Sequence, residues 1–250
     1  MRGLFLQQQL ELRLEVSGDT FNQGAAVPCR MVIKNHGSVL VILDALALTL
    51  ALGALKKVKA KQDGAFEVTK QGELEHATEL APHAELSLSH TFTLDINSPI
   101  SDKAQSPYLL YGNSAQIALL GQLPLTVTVH PHIRTIFETM GTVFNFVNRG
   151  ETSKNGWTSV KLKPPESRRL SFVDELNLSC RFNGEALEVR YIFTVKKFAT
   201  SMVKVEIRKD KTEVLQRWEP AEYLFGAGYV QQTLIERLIE AALAEVSSGL

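Results

Sequence analysis

The stretch LTVTVHPHIRTIFETMGTVFNFV, from Leu125 to Val147, changes its hydrophobic period in the middle. Leu123, Leu125, Val127 and Val129 alternate with Pro124, Thr126, Thr128 and His130, the pattern of a half-buried strand. Past Pro131 the apolar residues Ile133, Ile136, Phe137, Met140, Phe144 and Val147 recur at helical spacing. Both flanks carry strand-like alternation, so this stretch reads as a joint between two β-rich halves.

In the first half, Leu10, Leu12, Leu14 and Val16 alternate with charged and polar residues, then Val27, Cys29, Met31 and Ile33 form a second inward row. The run VLVILDALALTLALGAL, Val39 to Leu55, is apolar on both faces. A buried helix and a central strand both suit it, and the alternation of Leu46, Leu48, Leu50 and Leu52 favours the strand. Lys56 to Gly72 reads as a long hairpin or exposed loop with a short strand at Phe66 and Val68. Leu86, Leu88, His90, Phe92, Leu94 and Ile96 make a further row, and Ile117 and Leu119 are expected to begin another strand.

In the second half, Asn148 to Gly156 is polar and glycine-containing and is expected to be a linker open to proteases. Leu176, Leu178, Cys180 and Phe182 form one inward row and Leu187, Val189, Tyr191, Phe193 and Val195 another, with Asn183-Gly184 between them. That dipeptide predicts a hairpin with a type I′ turn, which needs positive φ at both central residues. Val203, Val205 and Ile207 predict a further strand.

The C-terminal segment YVQQTLIERLIEAALAEV has no Gly or Pro and predicts a helix over Val230 to Val246. Val230, Leu234, Ile235, Leu238, Ile239, Ala242, Leu243 and Val246 cover more than half of its circumference, wider than a one-sided stripe. Leu234, Leu238 and Leu243 are therefore the residues expected to meet a protein partner or a second copy of the chain, with Leu243 at the outer edge.

Charge sets further bounds. Lys+Arg and Asp+Glu both number 27, so no global field attracts nucleic acid or an acidic membrane. No apolar run reaches the about 18 residues of a membrane span, and the N-terminal apolar segment is too short for a signal peptide. Cys29 and Cys180 both fall at inward strand positions, which predicts two reduced core thiols and a cytoplasmic setting.

Motifs for chemistry are sparse. His130-Pro131-His132 comes nearest to a metal site, but no Cys, Asp or Glu stands near it, and no metal or other cofactor is expected. His90 is expected to be a hydrogen-bonded core histidine. Gly226-Ala227-Gly228 lacks the third glycine of a dinucleotide loop. The carboxylate pairs Asp174-Glu175 and Glu73/Glu75 are neighbours only in sequence; adjacent strand residues point to opposite faces. Lys56, Lys57, Lys59 and Lys61 form one basic cluster and Lys196, Lys197, Lys204, Arg208, Lys209 and Lys211 another, and both read first as solvated surface. No nucleophile stands beside a base, and no catalytic residue is assigned. Two other functions stay open: a carbohydrate- or small-molecule-binding sandwich using Trp157, Trp218 and Tyr108, and an enzyme with a site assembled from distant residues.

The segments DTFNQGAAVPCRMVIKN, LALTLAL and ELAPHAELSLSHTFTLDINSP, the strand pair Tyr111 to Val129 ending in His130-Pro131, the helix Ile133 to Phe146, the Asp174-Glu175-Leu176-Asn177-Leu178 strand and the strand Leu187 to Phe193 together resemble arrestin-like proteins, in particular bacterial sporulation-control proteins. The resemblance implies two antiparallel β-sandwich lobes, no catalytic activity, and a regulatory or scaffolding role through protein contacts. The C-terminal helix departs from that pattern, and no partner-binding residue is carried over. The expected organisation is a β-sandwich lobe over residues 1–130, a linker helix and loop over 131–154, and a second β lobe with its terminal helix over 155–250.

Overall fold

A computed structural model describes residues 1–72, 79–167, 170–200, 205–226 and 228–248. The chain is mainly antiparallel β and divides into two compact units, Met1–Thr128 and Val129–Leu250, with the boundary inside the stretch that changes period.

The first unit runs β1 (Arg2–Gln7), β2 (Leu10–Val16), β3 (Thr20–Asn22), β4 (Ala26–Asn35), β5 (Val41–Ile42), β6 (Leu46–Ala54), α1 (Leu55–Lys59), β7 (Phe66–Gln71), β8 (Glu79–Leu80), β9 (Glu85–Thr93), β10 (Gln105–Asn113), β11 (Gly121–Pro124) and β12 (Thr126–Thr128). Two four-stranded sheets, ordered β1-β2-β4-β9 and β11-β10-β6-β7, form the sandwich. Leu12, Leu14, Met31, Ile33 and Phe92 of one sheet and Leu48, Leu50, Leu109 and Tyr111 of the other share one core. The expected strand in the apolar run is β6, in the interior of its sheet. It is apolar on both faces because both are covered: Leu48 and Leu50 face the sandwich core, while Ala51 belongs to a smaller cluster with Tyr108, Leu110 and Leu120, against which Leu55, Val58 and Phe66 pack. Ile117 and Leu119 lie in a 3-10 turn, not a strand. Asn35 is fully buried, and its amide donates to the carbonyls of Val39, Leu80 and Ala81 at 2.8, 3.1 and 3.1 Å. An alternation-breaking polar residue thus becomes a staple between segments distant in sequence.

The second unit runs α2 (Pro131–Thr142), β13 (Val147–Lys154), β14 (Trp157–Lys163), β15 (Val173–Asn183), β16 (Ala186–Thr200), β17 (Val205–Trp218), α3 (Pro220–Tyr223), β18 (Leu224–Phe225), β19 (Tyr229–Val230) and α4 (Gln232–Ser248). Its main sheet has five strands in chain order, β13-β14-β15-β16-β17. The inner face carries Val160, Leu162, Leu176, Leu178, Cys180, Leu187, Val189, Tyr191 and Phe193, all buried. Helices contribute to the layer against it. Ile133, Ile136, Phe137 and Met140 of α2 and Ile235, Ile239, Ala242, Leu243 and Val246 of α4 are buried, and α4 packs on both α2 and β17.

Helix α2 ends earlier than its periodicity suggests. Asn145 takes a left-handed conformation (φ 58°), the Phe146 amide donates to Met140 O at 2.9 Å, and Phe146 is buried from the loop, so Phe144 and Val147 fall outside the helix. The expected linker at residues 148–156 is instead the edge strand β13 and a tight turn. Asn155 and Gly156, at φ 52° and 75°, sit between the paired residues Lys154 and Trp157. Both signs are those of a type I′ turn. At the other hairpin Asn183 pairs with Ala186, so the two loop residues are Gly184 and Glu185, with positive φ only at Gly184 (64°). This is the sign pattern of a II′ turn, with glycine first, rather than the expected I′.

Candidate interaction surface

The residues proposed for chemistry in the sequence separate in space. Cys29 and Cys180 are buried free thiols. Burial pushes the Cys29 thiol up to about 12 and the Cys180 thiol up as well, so neither is a nucleophile at neutral pH. His90 is half-buried against Phe92, ring centroids 4.5 Å apart, and is not a fully buried core residue. Glu73 and Glu75, Lys204 and Ala227 lie outside the described residues, as do the side chains of Lys197 and Arg208. Among the described residues no three His, Cys, Asp or Glu side chains come together to hold a metal ion, and no helix is long and apolar enough to cross a membrane.

His130 and His132 sit at the start of α2. His130 is the N-cap, its Nδ1 accepting from His132 N at 3.2 Å. Its ring packs on Phe182 at 4.7 Å and on His132 at 4.8 Å, and His132 approaches Tyr223 at 5.9 Å. This is an aromatic packing cluster. Burial, then the neighbouring His132, holds His130 down at about 4, and burial lowers His132 too, against its hydrogen bond to the Gly228 backbone.

The basic residues are partly accounted for. Lys56, Lys57, Lys59 and Lys61 are exposed on and just after α1. Lys196 and Lys209 pair in register across β16 and β17, and both reach Asp174, at 3.2 and 2.6 Å. Asp174 lies where the β15–β16 register slips between Val173 and Glu175, and the slip breaks strict alternation there. The hydrogen bond from Lys209, then that from Lys196, holds the Asp174 carboxyl below its usual range. Lys211 is exposed.

The three aromatics considered for ligand binding have different fates. Tyr108 and Trp218 are core, at 7% and 1% exposure, with Trp218 Nε1 donating to Gln216 Oε1 at 3.0 Å. Trp157 is half-buried on the outer face of the second sheet. The Cζ atoms of Arg181 and Arg190 lie over its ring, 4.5 and 4.4 Å from the centroid. Register explains the meeting. Ser159 pairs with Ser179, Ser179 with Arg190 and Arg190 with Leu215, one outward row across four strands. In the next row Arg181 pairs with Glu188, and Glu188 with Arg217. Arg181 Nε donates to Glu188 at 2.6 Å and Asn183 Nδ2 donates to the same carboxylate at 2.8 Å; the Asn183 bond first, then Arg181, lowers the Glu188 carboxyl. Arg190 has no such acid. Its Nε is buried without a hydrogen-bond partner, and among the described residues it makes no ion pair.

The C-terminal helix keeps most of its apolar arc inside. Leu243 is 4% exposed and Leu234 and Leu238 are half-buried. Leu243 is thus buried and is no outer edge. The wide arc arises because α4 meets both α2 and β17, and Gln216 Nε2 donates to Leu238 O at 3.1 Å. The two most exposed large hydrophobic side chains among the described residues stand just before the helix. Phe225 and Tyr229 pair across the two-stranded β18–β19 ribbon, at 71% and 76% exposure. Sequence reasoning missed both, because an isolated aromatic beside Gly226 carries no periodic signal.

No family model matches the chain, and no curated protein sequence matches it. Among solved structures, the chain is similar to the sporulation control protein Spo0M of Bacillus subtilis: TM-score 0.61, 14% sequence identity, covering 96% of this chain and 99% of that one. At that identity the likeness is one of fold, the arrestin-like architecture that the sequence segments resemble.

Proposed function

We propose that this chain is a non-enzymatic regulatory or scaffolding protein that acts through protein–protein contacts, an arrestin-like relative of the sporulation-control proteins, working in a reducing cytoplasm where its two thiols stay free. The observation that carries the reading is the Phe225–Tyr229 pair, two large rings held in water on one short ribbon that leads into the helix. Covering apolar surface is favourable by about 25 cal/mol per Å², so rings kept out of the chain's own core suit contact with another protein. A second copy is the simplest partner, since a two-fold interface uses one patch twice. The small-molecule reading loses Trp218 and Tyr108 to the core.

The test is paired substitution in the full chain, Phe225→Ser with Tyr229→Ser. Sedimentation velocity gives the self-association state, and a photo-crosslinking residue at position 225, expressed in the native host, traps any other partner. The expected result is an unchanged melting temperature with loss of the dimer, or of one defined crosslinked species that forms before substitution. A monomer that gives no defined crosslink before substitution refutes the reading.

A further inference from the structure

We infer that the outer face of the second unit's sheet, centred on Arg190 and Trp157, docks an extended acidic peptide segment of a partner protein. The inference deepens the protein-contact function and rests on it, at a surface separate from the Phe225–Tyr229 ribbon.

Several cations of the second sheet already hold an acid. Arg181 is held by Glu188, and Lys196 and Lys209 share Asp174. Arg190 lies over the Trp157 ring at 4.4 Å with its Nε sealed and unpartnered, and no acid of the described chain meets it. A guanidinium fixed by stacking and left without a carboxylate is preorganised to take one, because its terminal nitrogens form the planar fork that a carboxylate accepts in bidentate fashion. Beside it the row continues to Leu215, which pairs with Arg190 in register and is 62% exposed. Ile192, two residues on along β16, is half-buried. The face therefore offers one carboxylate socket next to an apolar step, the complement of an acidic residue followed by an apolar one.

The shape selects a macromolecular segment. Small ligands bury themselves in concavities, and here the groups stand in register across a sheet face. The chemistry selects peptide over nucleic acid. Single strands bind by stacking bases on open aromatic faces along a continuous track of cations, but Trp157 already carries two guanidiniums and offers no open face to a base.

The experiment uses the full chain and a fluorescein-labelled peptide of glutamates with interspersed leucines, read by fluorescence anisotropy at low ionic strength. The expected result is saturable binding that weakens about tenfold on Arg190→Met, which keeps a stem over Trp157 but removes the fork. Leu215→Glu places a like charge beside the socket at an exposed position, and it is expected to weaken binding comparably. It decides the matter alone if Arg190→Met melts early. Lys59→Met, on the first unit, is expected to bind like the parent. No binding by the parent chain, or binding that neither face substitution weakens, overturns the inference. So does a single-stranded oligonucleotide that binds more tightly than the peptide and is lost on the same substitutions. If the peptide fails while the Phe225 contact persists, only this inference falls; if the peptide binds and that contact is absent, the fault lies with the ribbon.

Discussion

The guanidinium of Arg134 on α2 and the carboxylate of Glu151 on β13 meet at 2.8 Å, and Asn148 Nδ2 donates to the same carboxylate oxygen at 3.1 Å. The pair ties the helix to the edge strand that follows it, in the segment that its composition marks as a linker. The pair is partly exposed, so Arg134→Met is expected to cost no more than about 1 kcal/mol. Its clearer effect is local: limited trypsin digestion should spare Arg149 and Lys154 in the parent chain and cut there sooner in the variant. Early release of two fragments from the parent would show that β13 is not held.

Tyr191 is fully buried, its ring nearly parallel to that of Phe193, and its hydroxyl has no hydrogen-bond partner. Burial, then the neighbouring Cys180, raises that hydroxyl well above the usual range, so it stays protonated. Tyr191→Phe removes the polar atom without the ring and should stabilise the chain by about 1 kcal/mol in urea melts. A loss of stability would mean that the hydroxyl has an acceptor.

His130 makes the second unit sensitive to acid. Its folded pKa, about 4, lies below the ordinary 6.5, so the unfolded chain binds more protons between those values. Stability from this group is complete above about pH 6.5 and falls as the pH drops towards 4, by up to about 3 kcal/mol. His130→Asn keeps an N-cap acceptor without the titration, and chemical denaturation across that range should show a shallower slope. An unchanged slope would assign the effect to other groups.

The turn at Asn155 and Gly156 should be the less tolerant of the two tight hairpins at its second position. Gly156→Ala places a β-carbon on a residue at φ 75° and should cost about 1–2 kcal/mol, whereas Glu185→Ala in the II′ turn should cost less than about 0.5 kcal/mol. Thermal melts of the two variants compare them directly.

Leu243→Glu is expected to unfold the second unit. Burying an unpaired carboxylate at a site 4% exposed costs more than about 3 kcal/mol, so circular dichroism should show loss of the cooperative transition. A folded monomer would restore Leu243 as a surface residue.

The rows of alternating residues made most strands legible: β2, β4, β15 and β16 bury the residues whose period marks them, while the β9 row buries Leu88, Phe92 and Leu94 but leaves Leu86 and His90 half-buried and Ile96 exposed. What stayed hidden has local causes. A glycine-rich polar stretch reads alike as linker or hairpin until Lys154 is seen to pair with Trp157, and without that turn Trp157 cannot be aligned on Arg181. The register slip beside Asp174 defeats a rule that assumes strict alternation. The arc of α4 was visible, but a helix with two neighbours inside one unit has the same sequence pattern as a helix shared between two chains.

The main sheet of the second unit follows chain order, strand beside preceding strand, whereas the first unit joins β4 to β9 and β6 to β10 across long loops. Low contact order favours speed, so the meander can zip from turn to turn while the sandwich waits for distant partners. Yet α4, the last element, is the one that packs on both β17 and α2. A nascent chain halted before Gln232 would therefore hold a finished sheet with an open apolar flank. Closure of that flank waits on the seventeen-residue helix α4, whose Ile235, Ile239 and Ala242 are fully buried in the finished fold.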